Sequence, residues 1–98
     1  MTETPQEPRQ MQLQVEMDDA TAQGVYANLI GIMNNDTEFI MDFLFLQPGQ
    51  PKAKVRSRII SSPVHAKRML VALSENIRKY EERFGLIVDR AAAPQAHS

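Results

Sequence analysis

Between Gln12 and Met17 apolar and polar residues alternate strictly, with Leu13, Val15 and Met17 on one side and Gln12, Gln14 and Glu16 on the other. A period of two is that of a strand with one buried face, so the pattern predicts a first strand over 12–17. Asp18-Asp19 and Gln23-Gly24 bracket a connection, and residues 25–33 read as a second strand. Asn34-Asn35-Asp36-Thr37 is turn chemistry, because short amide and carboxylate side chains bond to their own backbone. Residues 38–47, rich in Phe and Ile, predict a third strand. Pro48-Gly49-Gln50-Pro51 is a second turn. Residues 54–61 predict a fourth strand, with Lys54, Arg56 and Arg58 against Val55, Ser57 and Ile59. Connections this short make an antiparallel meander.

The period then changes. Ser62 before Pro63 is a helix start: a side-chain oxygen to cap, then a proline whose missing N–H costs nothing in the first turn. Ala66, Leu70, Leu73, Ile77, Tyr80 and Phe84 recur at alternating spacings of four and three, one continuous apolar stripe. Gly85 closes the helix as a residue of positive φ, with Arg83 at the negative end of the dipole. Leu86-Ile87-Val88 reads as a short strand or as an anchor under the sheet. The expected fold is α+β: a four-stranded antiparallel meander followed by one long C-terminal helix packed on one face (β-β-β-β-α).

Pairing the second and third strands about Asn35-Asp36 gives two faces. One holds Tyr26, Asn28, Ile30 and Ile32 with Phe39, Met41, Phe43 and Phe45. The other holds Val25, Ala27, Leu29, Gly31 and Met33 with Ile40, Asp42, Leu44 and Leu46. A sheet with one solvated face alternates, and these strands are apolar on both. One helix covers one face, and the Phe-rich face matches its stripe better. The other face would be a patch larger than monomers usually expose. A second copy related by a two-fold axis covers it economically, so Leu29, Gly31, Ile40, Asp42, Leu44 and Leu46 are the expected oligomer interface. Gly31 inside a strand suits close approach of another backbone. Asp42, in mid-strand, needs a cationic partner if buried. Arg56 and Arg58 are nearest, and share its face only if the 47–51 loop spans five residues or a bulge intervenes.

The chain has 98 residues, room for a single domain, with a net charge of −1 and no Cys. That excludes a disulfide framework, thiolate metal ligation and a Cys nucleophile, and a near-neutral total argues against a dedicated polyanion binder. Residues 1–10 and 89–98 read as disordered tails, because neither holds enough apolar surface to offset the entropy of ordering it. The single folded domain spans 11–88, small enough that oligomerisation is a common remedy for its modest core. The polar opening segment, with Pro5 and Pro8, does not read as a signal peptide. The longest apolar run, Phe39 to Leu46, is broken by Asp42 and falls far short of the roughly 20 residues of a membrane helix. The expectation is a soluble cytoplasmic protein with no membrane partner.

Chemistry is sparse. His97 lies in the tail, and His65 stands three residues after Ser62 in a capping arrangement with no orienting acid near it. The carboxylates of Asp18-Asp19 and Asp36-x-Glu38 lie in turns, and the four glycines are isolated. The chain is expected to be no enzyme, to bind no metal and to take no cofactor. One cationic constellation competes with self-association. Lys52, Lys54, Arg56 and Arg58 lie two apart beside phenylalanines, and Lys67 and Arg68 follow on the helix. Basic residues with aromatics on an open sheet are how single-stranded nucleic acid is held, although lysines also guard edge strands against aggregation. A third reading is a binder of apolar peptides.

Tyr26-Ala-Asn28, Glu38-Phe39-Ile-Met-Asp42-Phe43, Pro48-Gly49, Arg58-Ile-Ile-Ser-Ser-Pro63, Lys67-Arg68 and Tyr80-Glu81 through Phe84-Gly85 occur in this order. Over roughly residues 24–85 the chain thereby resembles a family of small bacterial and archaeal proteins known only as a domain of unknown function. The resemblance implies a cytoplasmic protein of about 100 residues and no particular activity. The meander-then-helix layout is also similar to that of the export chaperone SecB, by architecture alone.

Overall fold

The computed structural model describes residues 12–89. The elements run α1 (Asp19–Gln23), β1 (Leu29–Asn34), β2 (Phe39–Leu46), β3 (Ala53–Ser61) and α2 (Pro63–Phe84). The three strands form one antiparallel sheet in the order β1-β2-β3. The fold is α+β, a three-stranded antiparallel meander followed by a C-terminal helix. The tails expected at 1–10 and 89–98 lie outside the described residues, apart from Asp89.

Each hairpin follows from its turn residues. At the β1–β2 turn the Asn35 Oδ1 accepts from the Thr37 and Glu38 backbone N–H groups, both at 2.8 Å, and from the Thr37 hydroxyl at 3.0 Å. The Asn35 N–H donates to the Glu38 carbonyl at 3.0 Å. No residue here needs a positive φ; side-chain bonding alone shapes the turn. At the β2–β3 turn Gln50 N–H donates to the Gln47 carbonyl at 3.1 Å, and Gly49 has φ of 79°. Proline then glycine of positive φ is the signature of a type II turn. The Asn35→Ala variant removes three acceptor contacts at one exposed site, and is expected to cost about 1 kcal/mol. Thermal melting followed by circular dichroism should show Tm lower by about 4–8 °C.

Asn28 explains why a polar residue opens an apolar strand. Its backbone N–H donates to the Leu44 carbonyl at 2.9 Å. Its side chain donates to the Leu46 carbonyl at 3.1 Å and accepts from the Leu46 N–H at 2.8 Å. The amide thus stands in for a strand residue and ends the β1–β2 ladder. This is why β1 begins at Leu29, not at Val25.

Three expectations are corrected. Residues 12–17 form no strand: Leu13 is 87% exposed, and no ladder pairs the segment. Alternation marks two faces but does not supply an edge to pair with. Leu86-Ile87-Val88 is neither strand nor anchor; all three side chains are exposed. The helix is not packed down on the sheet either. It has the expected ends, with Ser62 Oγ accepting from His65 N–H at 3.2 Å and Gly85 at φ of 97° and ψ of 167°, a region only glycine visits freely. Yet it has no buried residue. Along the helix Arg78 pairs with Glu75 at 2.6 Å and with Glu82 at 2.6 Å. Among all described residues only Met41, at 4% exposure, and Asp42, at 9%, are buried.

Candidate interaction surfaces

The register settles what each face of the sheet carries. On one face Ile30, Phe43 and Ser57 form a row, beside a row of Ile32, Met41 and Ile59. Met41 lies between two isoleucines, which is why it is buried. On the other face three rows cross the sheet: Leu29, Leu44 and Val55; Gly31, Asp42 and Arg58; Met33, Ile40 and Ile60. The central row is polar and the two flanking rows are apolar. The six residues expected at an oligomer interface, Leu29, Gly31, Ile40, Asp42, Leu44 and Leu46, therefore share one face.

A bulge produces that central row. The β2–β3 register slips between Phe43 and Leu44, whose partners are Ser57 and Val55, leaving Arg56 as the extra residue. Before the bulge Lys54 lies opposite Phe45; after it Arg58 lies opposite Asp42. Arg58 Nε donates to Asp42 Oδ1 at 2.7 Å and its Nη2 to Oδ2 at 2.9 Å. This two-pronged pairing matches the guanidinium fork to the carboxylate. It holds the Asp42 carboxyl below its usual range, chiefly through the Arg58 hydrogen bond, and raises Arg58 in turn. Gly31 completes the row by leaving open space on the β1 side. A methyl group built there would meet Leu44 Cδ1 at 4.0 Å, an ordinary contact. Its absence of a side chain is therefore not forced by crowding within the chain.

The same bulge disperses the cationic constellation. Lys54 lies on the Phe-rich face and Arg58 on the opposite one, already bound to Asp42. Lys52 and Lys54 join Phe45, Gln47 and Gln50 around a cleft of 370 Å³ at the end of the hairpin. Tyr26 sets its ring edge-on to Phe45, with centroids 6.3 Å apart. Lys67 and Arg68 lie on α2, Lys67 beside the residues of the Phe-rich face that meet the helix. Lys54 and Arg58 therefore do not share a face.

The helix and the Phe-rich face enclose a wedge. Ile30, Ile32 and Phe39 on the sheet and Pro63, Ala66, Leu70 and Leu73 on the helix line a cleft of 610 Å³, with Lys67 and Met69 at its sides. The helix stripe does turn toward the expected face, but does not close on it. Beyond Leu73 the stripe continues with Ile77, Tyr80 and Phe84, the last 65% exposed. Tyr80 and Phe84 stack against each other at 4.9 Å, and the Arg83 guanidinium lies 5.2 Å from the Phe84 ring centre.

His65 meets Ser62 through its backbone N–H, as a helix cap. Asp18 caps α1, accepting from Thr21 N–H at 2.7 Å, and that bond lowers its carboxyl pKa. Among the described residues no three His, Cys, Asp or Glu come together as a metal set. No helix among them is long and apolar enough to cross a membrane.

A family model described as a protein of unknown function (DUF3467) matches residues 1–89. The chain belongs to that family. The DUF3467 match takes in the segment before Gly24, which the ordered motifs of the sequence left outside. No curated protein and no solved structure matches the chain. What distinguishes this DUF3467 chain is thus its geometry: an ion-paired row between two apolar rows on one face, and an open apolar wedge on the other.

Proposed function

We propose that this protein is a non-enzymatic interaction protein that works as a homo-oligomer, a second copy closing the sheet across Leu29, Ile40, Leu44 and Leu46. One observation carries this reading: the protomer buries only Met41 and Asp42 among its described residues, while Leu29, Met33, Val55 and Ile60 on that face are all about half exposed. A chain so poor in core gains most of its hydrophobic stabilisation from what covers it. The face is suited to its own copy. A two-fold axis through the Gly31–Asp42–Arg58 row lays each flanking apolar row on one from the partner. Asp42 and Arg58 satisfy each other within the protomer, so the row tolerates cover without an unpaired charge. The open side at Gly31 lets the partner's chain approach.

Light scattering on the size-exclusion peak tests this. The expected mass is a multiple of 11.1 kDa that does not change with salt, because apolar contact rather than surface charge holds the copies. Leu44→Asp places a charge in an apolar row and is expected to lower the mass. A wild-type monomer, or a Leu44→Asp variant with unchanged mass and Tm, would refute the reading. With Arg58 bound to Asp42 on the face opposite Lys54, single-stranded oligonucleotides should show no retardation at low salt, where phosphate binding is strongest.

A further inference from the structure

Resting on that reading, we infer that a second copy's α2 is the occupant of the wedge. The two helices pair antiparallel about a two-fold axis level with Glu75, and the partner's Ile77, Tyr80 and Phe84 lie over Ile30, Ile32 and Phe39. The stripe itself carries the symmetry. Leu73 and Ile77 are each two residues from Glu75, Leu70 and Tyr80 each five, and Ala66 and Phe84 each nine. An antiparallel partner therefore meets every stripe position with another, and sets the smallest side chain, Ala66, against the large Phe84. Alternating large and small side chains is what lets two helices interdigitate.

Three further observations agree. The wedge is lined by the first half of the stripe, from Ala66 to Leu73, and that is the half an antiparallel partner's distal half would lie beside. The distal half, Ile77 to Phe84, lies beyond the wedge and is exposed, as Leu70 and Leu73 are within it, so both halves of the stripe have apolar surface left to cover. Charge agrees as well: Lys67, eight residues before Glu75, and Glu81, six after it, stand on the same flank of the stripe, so across the axis each would lie within about 3 Å of its opposite along the helix. Tyr80 and Phe84 together expose roughly 200 Å², about a quarter of the roughly 800 Å² that one partner brings to a standard interface. With the sheet face also paired, and the two two-fold axes crossing at right angles, four copies close into a tetramer.

The chain has no cysteine, so single labels can be placed cleanly. Arg68→Cys and Glu82→Cys each carry a spin label on the side of α2 away from the stripe, and electron paramagnetic resonance measures distances between copies. In an antiparallel pair the 68-to-82 distance is shorter than 68-to-68 and 82-to-82, because like positions are offset along the axis by about 21 Å at 1.5 Å per residue. The reverse order, or no distance between copies, overturns the inference; the second result is also what an apolar peptide in the wedge would produce. Mass separates this inference from the one beneath it. Ile77→Asp and Leu44→Asp should each halve the wild-type mass, and together should yield a monomer. An unchanged mass for Ile77→Asp alone refutes helix pairing and leaves the sheet contact standing; an unchanged mass for Leu44→Asp alone does the opposite. Should Ile77→Asp lose its helical circular dichroism, the label distances in the otherwise wild-type chain decide.

Discussion

Met41→Ala is expected to remove most of the stability that the chain draws from its own core. Met41 is the one buried hydrophobic side chain among the described residues, held between Ile32 and Ile59 at the middle of the central strand. Replacing a buried Met by Ala costs about 2–5 kcal/mol, the lost transfer energy plus a cavity that neighbours fill only in part. A folding unit of this size has only about 3–5 kcal/mol from its own core. The loss is therefore comparable to all that the chain's own core supplies. Tm measured by circular dichroism should fall by at least about 8 °C. Met41→Leu conserves volume and is expected to cost less than about 1.5 kcal/mol. A Met41→Ala chain melting within a few degrees of wild type would show that stability resides elsewhere, in the contacts between copies. Repeating the melts at two protein concentrations distinguishes these sources, because only an assembly has a concentration-dependent Tm.

Most of the sheet was legible because its signals are local. Asn35 and the Pro48-Gly49 pair define their turns by their own chemistry, and once the first turn is placed, period two assigns every side chain of β1 and β2 to a face. Ser62, Pro63 and Gly85 likewise mark α2 within its own sequence. What failed was everything that depends on distant partners. Leu13, Val15 and Met17 alternate as a strand residue should, but no neighbouring edge pairs with them. The stripe of α2 showed which side of the helix is apolar, not whether the sheet of the same chain would meet it. The bulge at Arg56 was the most consequential detail, since one unpaired residue separates Lys54 from Arg58. It sits in a run where every second residue is basic, so no change of pattern marks it. The need for it was nevertheless visible in Asp42, which required an arginine on its own face. Asn28 was visible as an interruption, while its role as a substitute for backbone could be read only from the ladder it ends.

Asp42→Asn is expected to lower stability at neutral pH and to become harmless in acid. The bidentate pair with Arg58 holds the Asp42 carboxyl below its usual range. A carboxylate whose pKa is lower in the folded than in the unfolded chain stabilises the fold above its unfolded value of about 3.9. That contribution is lost as pH falls through the lower, folded value. Asp18 and Glu75 are also lowered by their hydrogen bonds to Thr21 and Arg78, so the acid sensitivity of wild type alone assigns nothing to Asp42. The difference between wild type and Asp42→Asn does, because the other two groups cancel. Tm recorded for both chains from neutral pH downward should show a gap of several degrees that closes below about pH 4. A gap that stayed constant to low pH would mean the asparagine disturbs packing, not charge. Arg58→Met alone strands the carboxylate and should also lower Tm, whereas Asp42→Leu with Arg58→Met removes both charges and should recover much of the loss. If the double variant gained stability but lost a single defined mass, the pair would be acting chiefly to set the register of the two sheets. If mass and stability were both retained, the apolar rows on either side would suffice to define the contact.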